Sequence, residues 1–248
     1  MAEPVRLVIF DLDGTLLDTV ADLGDAVNHA LGKRGFPLHT REEYVRKVGH
    51  GVRNLVTVSL PEELQGDEAL IDECLADFKA WYTNHIDVLT RPYPGMQQFL
   101  RDLHARGVKL AIASNKFQSG TEYLVEKFFG DVPFVAILGN REGVPLKPDP
   151  GIVEECLRRA GVQRSEAILV GDSLTDMTTA ANGGIPGIAV AWGYRDLHGT
   201  PGVKIAESVE DLEYVTQAKS GRRLSAEKSV LHVICEIELK SQAEPPDL

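Results

Sequence analysis

The chain has few cysteines, and their placement excludes an obvious role for them. The three cysteines, Cys74, Cys156 and Cys235, are far apart in the sequence and do not have the spacing of metal ligands. An odd number of widely spaced cysteines is typical of buried or chemically indifferent thiols. We therefore assign them no chemistry.

Positive charge and long apolar runs are also scarce. Lysine and arginine number 26 against 37 aspartates and glutamates, which gives a net charge of −11, and no basic cluster is long enough to follow a phosphate backbone. Nucleic acid is therefore not an expected partner. The sequence has no apolar run of membrane length and no basic region followed by a long apolar segment at its start. We expect a cytoplasmic protein without a membrane partner, either a monomer or a homodimer.

The 248 residues are 43% hydrophobic, enough for one large or two modest domains. The β-branched and aromatic run Val5–Phe10 predicts a buried strand. After Gly95, predicted helices alternate with short apolar strands. This alternation favours an α/β fold in which a parallel sheet, joined by the first strand, carries helices on both faces.

Between Asp18 and Pro92 the pattern is helical only. Apolar residues recur every three or four positions over 19–33, Thr40–Glu43 resembles a capping box, and two further helices are predicted over 52–60 and 67–85. We therefore predict a helical insert, the cap segment (19–91), within a discontinuous core (1–18 and 92–219).

Residues 220–248 are predicted to form a C-terminal extension. Apolar and polar side chains alternate over Leu231–Leu239, which predicts a strand at a sheet edge or a subunit contact. The alternative is a disordered tail, which the last seven residues resemble.

The first candidate site is the acidic loop Asp11-Leu12-Asp13-Gly14 after the first strand. Two carboxylates beside an apolar strand need a positive charge close to them, because a buried unpaired charge costs several kcal/mol. Mg²⁺ would compensate both and leave Asp11 able to act as ligand and nucleophile together. Gly14 would let the backbone approach an anion closely. The alternative is an acidic turn that caps the next helix.

Three further predicted strand or helix ends carry polar groups: Ser114-Asn115, Lys147, and the pair Asp172 and Asp176. On a parallel sheet these groups converge on the edge that carries the acidic loop. Ser114 can bind a phosphoryl oxygen, Lys147 can neutralise the transition state, and Asp172 can complete the shell of a cation. Taken singly, each also fits a helix cap or a solvated side chain. Their conjunction favours phosphoryl transfer.

Asp-x-Asp-Gly-Thr-Leu-x-Asp at residues 11–18, with the three later groups, resembles the four motifs of the haloacid dehalogenase (HAD) superfamily. Most members of that superfamily are Mg²⁺-dependent phosphohydrolases. The resemblance extends from Asp11 to about Ala191 and implies a Rossmann-like catalytic core. It implies that Asp11 is a nucleophile that forms an aspartyl-phosphate, and that Asp13 protonates the leaving alkoxide and then activates water.

The resemblance also implies the remaining site residues. Mg²⁺ would be held by the Asp11 carboxylate, the Asp13 carbonyl oxygen and Asp172, with Asp176 behind these ligands rather than one of them. Ser114 and Lys147 would complete the catalytic set. The groups implied to contact the substrate in the core are Gly14, Thr15 and Asn115.

Two features narrow the chemistry within the superfamily. Dehalogenases lack the second carboxylate, so Asp13 favours phosphate esters as substrates. The helical insert matches the small α-helical cap class, which acts on small soluble substrates beneath a closing lid. We therefore expect a small phosphorylated metabolite.

Three further stretches are similar to phosphoglycolate phosphatases: Val48-Gly49-His50-Gly51, Ser114-Asn115-Lys116 and Trp192-Gly193-Tyr194. The leading hypothesis is a phosphatase for a small carboxylated or sugar phosphate, with 2-phosphoglycolate first. Phe117 departs from the pattern, since a proline is frequent there, and Lys147-Pro148-Asp149-Pro150 also occurs in β-phosphoglucomutases and pyrophosphatases. A sugar phosphomutase is the nearest alternative. A catalytically idle regulatory module is the other, but it predicts a lost carboxylate or lysine, and none is missing.

We expect substrate choice to lie in the cap segment, at His50 and Arg53. The two flanking glycines would let the loop bend toward the site, and the Arg53 guanidinium suits a carboxylate or a second phosphate. His50 would add a hydrogen bond. The alternative is that both are solvated surface residues.

Overall fold

The computed structural model describes residues 4–217. The predicted strand over Leu231–Leu239 and the rest of the C-terminal extension from 220 lie outside the described residues.

Six strands form one parallel sheet, and two others form a short separate ribbon. The strands are β1 (Leu7–Phe10), β2 (Leu17–Asp18), β3 (Arg91–Pro92), β4 (Lys109–Phe117), β5 (Phe134–Asn140), β6 (Ala167–Gly171), β7 (Gly187–Val190) and β8 (Lys204–Ala206). The order across the sheet is β5-β4-β1-β6-β7-β8, and every neighbouring pair is parallel. The predicted Rossmann-like α/β fold is confirmed.

Nine α-helices accompany these strands within residues 4–217. They are α1 (Val20–Gly32), α2 (Arg41–Lys47), α3 (Val52–Thr57), α4 (Glu68–Tyr82), α5 (Met96–Ala105), α6 (Gln118–Phe129), α7 (Gly151–Ala160), α8 (Leu174–Asn182) and α9 (Val209–Gln217). None of them is both long and apolar enough to cross a membrane. The short β8 and the helix α9 after it were not predicted from the sequence.

Strand β1 lies in the middle of the sheet and is buried on both faces. Leu7 and Ile9 belong to one hydrophobic cluster, whereas Val8 and Phe10 belong to another. This is why the strand is a continuous apolar run rather than an alternating one. Phe10 pairs with Ile112 of β4 and Val170 of β6, so the acidic loop leaves the centre of the sheet at its carboxyl edge.

The cap segment contains α1 to α4. Helix α1 packs against α2 and α4, and α3 packs against α4. The capping box is present at α2, where Thr40 Oγ1 accepts from the Glu43 N–H and the Glu43 carboxylate accepts from the Thr40 N–H. Buried residues of these helices, such as Tyr44 and Phe78, belong to the same hydrophobic cluster as Phe10. The apolar interior of the cap segment is therefore continuous with the hydrophobic cluster that contains Phe10.

The two chain crossings between core and cap segment lie side by side. Leu17 pairs with Pro92 and Asp18 with Arg91, which makes β2 and β3 an antiparallel ribbon. Strands of two residues are too short to show a periodic sequence pattern, so the ribbon was not predicted.

Strand β4 is irregular where it meets the site. Ala113 pairs with Leu138 and Phe117 with Asn140, so the three residues Ser114–Lys116 stand opposite the single residue Gly139. A Cβ at Gly139 would lie 2.6 Å from the carbonyl oxygen of Lys116. Such a bulge redirects side chains, and it places three polar residues in succession at the edge of the site.

Candidate active site

A cavity lies where the carboxyl ends of β1, β4 and β6 meet the cap segment. The cavity opens to solvent, so a ligand can reach its lining. The core supplies the polar floor of the cavity: Asp11, Asp13, Ser114, Asn115, Lys116, Lys147 and Asp172. The cap segment supplies its apolar and glycine roof: Leu23, Val48, Gly49, Gly51, Val52 and Leu55.

Lys147 connects three parts of the floor. Its ammonium donates to Asp11 Oδ1 at 2.8 Å, to Asp176 Oδ1 at 2.7 Å and to the carbonyl oxygen of Ala113 at 2.8 Å. The side chains of Lys147 and Asp176 are 3% and 1% exposed. The residue after β1, the middle of β4 and the first turn of α8 are thereby fixed to one buried cation.

The carboxylates around this lysine are short of positive charge. Burial raises the pKa of Asp11 to about 7, and the negative charges of Asp176 and Asp13 act in the same direction against Lys147. Burial also raises the pKa of Asp172, which follows β6, to about 8. Burial disfavours the Lys147 ammonium, but its two carboxylate partners outweigh this effect and raise its pKa. One lysine therefore does not compensate the cluster.

A hard divalent cation would supply the positive charge that this carboxylate cluster lacks. Asp11, Asp172 and Asp176 each offer a carboxylate oxygen, and these atoms lie within 4.8 Å of one another. A buried set of oxygen donors with excess negative charge suits Mg²⁺. The family resemblance implied that Asp176 lies behind the ligands, but in the structure its carboxylate belongs to this cluster. The carboxylate of Asp13 does not.

Asp13 is held by other donors. Thr19 Oγ1 donates to Asp13 Oδ1 at 2.7 Å, and Lys116 Nζ lies 3.3 Å from the same oxygen. The Asp13 side chain is 14% exposed and lines the cavity. The floor thus presents two carboxylates, Asp11 and Asp13, in separate hydrogen-bonding environments.

Lys116 is a cation of the floor to which the sequence assigned no role. Its ammonium donates to the hydroxyl of Tyr82 at 2.7 Å and lies 4.8 Å from the centre of that ring. Tyr82 ends α4, so this contact joins the floor to the cap segment. Lys116 reaches the cavity because of the bulge opposite Gly139, and the apolar pattern of the strand does not reveal that bulge.

Ser114 and Asn115 lie on the floor, in the bulge within β4 rather than after the end of the strand. Ser114 Oγ accepts from the main-chain N–H of Lys116 at 3.2 Å. The Asn115 side chain accepts from the Lys147 N–H at 2.8 Å and donates to the carbonyl oxygens of Lys147 and Gly49, each at 3.2 Å. Asn115 therefore holds the lysine segment and one residue of the roof, while its amide borders the cavity.

Comparison with known proteins identifies the family. The family described as haloacid dehalogenase-like hydrolase matches residues 8–190 of the chain. The chain belongs to this family.

Relatives within the family are phosphatases. The phosphoglycolate phosphatase of Mesorhizobium japonicum is 37% identical over 199 residues, covering 80% of this chain and 87% of that protein. That of Agrobacterium fabrum is 34% identical, with coverage of 77% and 82%. A crystal structure of a candidate phosphoglycolate phosphatase from Lactobacillus delbrueckii subsp. bulgaricus is 33% identical, has a TM-score of 0.79, and is matched over 88% of this chain and 100% of that one. This HAD-like hydrolase is accordingly a phosphoric monoester hydrolase.

Two predicted substrate-binding residues of the first HAD motif lie outside the cavity lining. Gly14 has a φ of 86°, and a Cβ there would lie 2.4 Å from Asp172 Oδ2. The anion that the Gly14 backbone approaches closely is thus the carboxylate of Asp172. Thr15 is fully buried, and its hydroxyl has no hydrogen-bond partner within the described residues. The contact of both residues with the substrate stays a prediction.

The two residues of the cap segment that were predicted to set substrate choice, His50 and Arg53, also lie outside the cavity lining. Arg53 pairs with Glu68 and Asp72 of α4, and its side chain is 47% exposed. His50 is exposed, and neither residue lines the cavity. Val52 and Leu55, three positions apart on α3, take the face toward the cavity. Arg53 is left on another face, where two carboxylates of α4 are within reach.

Tyr194, on the loop after β7, connects the carboxylate cluster to the cap segment. Its main-chain N–H donates to Asp172 Oδ2 at 2.7 Å. Its hydroxyl accepts from the N–H groups of Thr19 and Val20 at 2.7 and 3.0 Å, where α1 begins. These are donors that a helix start leaves unpaired. The sequence placed Tyr194 in a family-like stretch without a role.

Proposed function

We propose that this HAD-like phosphatase hydrolyses a small phosphate monoester, 2-phosphoglycolate first, with Mg²⁺ as cofactor and Asp11 as nucleophile. One observation carries the proposal. The carboxylate of Asp11 lies on the floor of the cavity, 2.8 Å from the ammonium of the buried Lys147, and the second carboxylate, that of Asp13, lines the same cavity with other hydrogen-bond partners.

The first half-reaction transfers the phosphoryl group to the protein. Lys147 orients Asp11 and neutralises charge that develops on the phosphoryl oxygens. Asp11 attacks phosphorus, the bond to the leaving oxygen breaks, and protonated Asp13 gives its proton to that oxygen. The products are an alcohol and an aspartyl-phosphate at Asp11.

The second half-reaction restores the enzyme. Asp13, now a carboxylate, takes a proton from water while the water oxygen attacks phosphorus. The bond to the Asp11 oxygen breaks, inorganic phosphate leaves, and Asp13 is again protonated. Asp11, Asp172 and Asp176 would hold Mg²⁺, which supplies screening of the repulsion between a carboxylate nucleophile and a phosphate dianion.

The choice of substrate is supported by the cavity and by the relatives. The apolar roof bounds the space above the floor, which favours a small ester over a macromolecule. Lys116 provides a second cation besides Lys147, suited to a substrate with a second anionic group. The curated relatives are phosphoglycolate phosphatases. A carboxylated phosphate such as 2-phosphoglycolate satisfies all three points.

The test is release of inorganic phosphate from a panel of phosphorylated metabolites. We expect the highest kcat/KM for 2-phosphoglycolate, loss of turnover in chelator, and recovery with Mg²⁺. Acid-quenched enzyme should carry one phosphoryl group, and Asp11→Asn should carry none. Turnover that survives chelation contradicts the cofactor, and transfer of the phosphoryl group to a sugar hydroxyl instead of water identifies a phosphomutase.

A further inference from the structure

Arg195 belongs to the core but binds the cap segment. It follows Tyr194 on the loop after β7, and it lines the cavity. Its Nη1 donates to the carbonyl oxygen of Val45, and its Nη2 donates to those of Val48 and Arg46 at 2.6 and 3.1 Å. One guanidinium therefore binds three main-chain groups of the cap segment.

These carbonyls lie where α2 ends. The last carbonyls of a helix have no partner within it and carry the negative end of the helix dipole. A guanidinium, with five donors in a rigid fork, suits several of them at once. Arg195 thus supplies from the core the hydrogen bonds that α2 does not provide for itself.

The chain leads directly from this contact into the roof. Val48 is the first roof residue after α2, and Gly49 and Gly51 follow it. Asn115 of the floor donates to the Gly49 carbonyl at 3.2 Å. The loop formed by residues 49–51 is therefore fixed to the core at two adjacent points. Arg195 binds the residue before it, Val48, and Asn115 binds Gly49 within it.

Arg195 differs from the other cations of the cavity. Lys147 pairs with Asp11 and Asp176, and Lys116 pairs with Asp13. Within the described residues, the hydrogen bonds of the Arg195 guanidinium all go to main-chain carbonyls. Its contacts therefore serve the placement of the backbone rather than the charge balance of the floor.

We propose that Arg195 is a positioning residue that holds the roof over the cavity and thereby limits the size of the ester that the enzyme accepts. The proposal rests on the proposed phosphatase function, because a phosphoryl group bound at Asp11 and Lys147 leaves the rest of the ester in the space below the roof. Val48, Val52 and Leu55 bound that space. A roof released from Arg195 admits larger leaving groups and holds small ones less well.

The kinetic test compares Arg195→Met, which keeps the chain length without the donors, with Arg195→Lys. Arg158→Met is the matched control, since Arg158 is an exposed arginine in the last turn of α7, outside the cavity lining. The substrates are 2-phosphoglycolate, ethyl phosphate, which is small but has no carboxylate, and the bulky 4-methylumbelliferyl phosphate.

We expect Arg195→Met to lower kcat/KM about tenfold for both small esters and to leave or raise it for the bulky one. Arg195→Lys should fall between this variant and the wild type, and Arg158→Met should match the wild type on all three. Equal losses on all three esters overturn the proposal. A loss confined to 2-phosphoglycolate also overturns it, because that result makes Arg195 a carboxylate receptor.

Amide hydrogen exchange provides a test that needs no activity. In Arg195→Met, exchange over residues 45–55 should be faster than in the wild type, with no change in α8. Unchanged exchange over 45–55 overturns the proposal. If the wild type hydrolyses no ester, the proposed function fails, and the exchange experiment still decides whether Arg195 holds the roof.

Discussion

The floor and the roof of the cavity are held in place by different kinds of contact. On the floor, charged side chains pair with one another, as Lys147 does with Asp11 and Asp176. The roof is attached through main-chain carbonyls, which accept from Arg195 and Asn115. The comparison shows that the chemistry of the site depends on which side chains form the floor. The shape of the space above the floor depends on where the backbone of the roof lies.

The largest effect should follow a change on the floor that preserves its shape. Asp11→Asn should lower turnover by more than about 10³-fold, because an amide is a poor nucleophile. The melting temperature in chelator should equal or exceed that of the wild type, since the neutral amide relieves repulsion within the buried carboxylate cluster. Phosphate release and thermal unfolding measure the two effects. Activity above a few per cent of wild type excludes Asp11 as nucleophile.

Asp13→Asn should be next in size and should depend on the ester. Loss of the proton donor should lower turnover by about 10²- to 10⁴-fold for alkyl phosphates. The deficit should be smaller for p-nitrophenyl phosphate, whose leaving group needs little protonation. A series of esters with leaving groups of graded pKa measures this dependence, and an equal deficit throughout the series argues against acid catalysis by Asp13.

The charge deficit of the floor predicts how stability depends on pH and metal. The pKa values of Asp11 and Asp172 are raised from 3.8 to about 7 and about 8. A group whose pKa is raised in the folded state stabilises the fold at low pH and loses that contribution as the pH rises through its folded pKa. In chelator, the melting temperature should therefore fall by several degrees between about pH 5 and about pH 8.5.

Added Mg²⁺ should restore much of this loss at the higher pH, since an ion that binds only the folded state stabilises it. Asp11→Asn is the control, and its melting temperature should depend less on pH because one titrating group is gone. A melting temperature that responds neither to pH nor to Mg²⁺ contradicts the account of an uncompensated cluster.

The smallest effect should come from the cap arginine outside the roof. Arg53→Ala should change KM for 2-phosphoglycolate by less than about twofold, because Arg53 pairs with Glu68 and Asp72 on an exposed surface. Steady-state kinetics beside Arg195→Met give the comparison. A tenfold rise in KM would restore the substrate contact that the sequence suggested.

The positions of the floor residues follow from the sequence more directly than do those of the residues that hold the roof. A polar residue directly after a buried parallel strand has its position largely determined by the sheet, and this places Asp11 and Asp172 together, with Ser114 beside them in the bulge of β4. The position of Lys116 depends on the bulge opposite Gly139, and that of Arg195 on a contact with residues about 150 positions earlier. Neither the bulge nor the long-range contact produces a recognisable pattern in the neighbouring sequence.

Local sequence patterns also predicted the helices and strands, and the contacts of the cap segment, only in part. Helix periodicity predicted the helices other than α9 to within a few residues, although α3 ends at Thr57 and α4 at Tyr82, before the predicted ends. Strands β2, β3 and β8 have only two or three residues each and show no periodicity. Arg53 was placed in the site because a guanidinium suits an anion, but periodicity alone does not say which carboxylate or ligand it meets.

The central position of β1 has a consequence for the synthesis of the chain. Leu7 pairs with Lys109 on one side and Ala167 on the other. At roughly 5–20 residues per second, the ribosome needs about 8 to 30 s after making β1 to produce its second neighbour. The first strand to be made is therefore fully paired only late in translation. Lys147 is also made long after Asp11, so a nascent chain carries its nucleophile well before the active site can form around it.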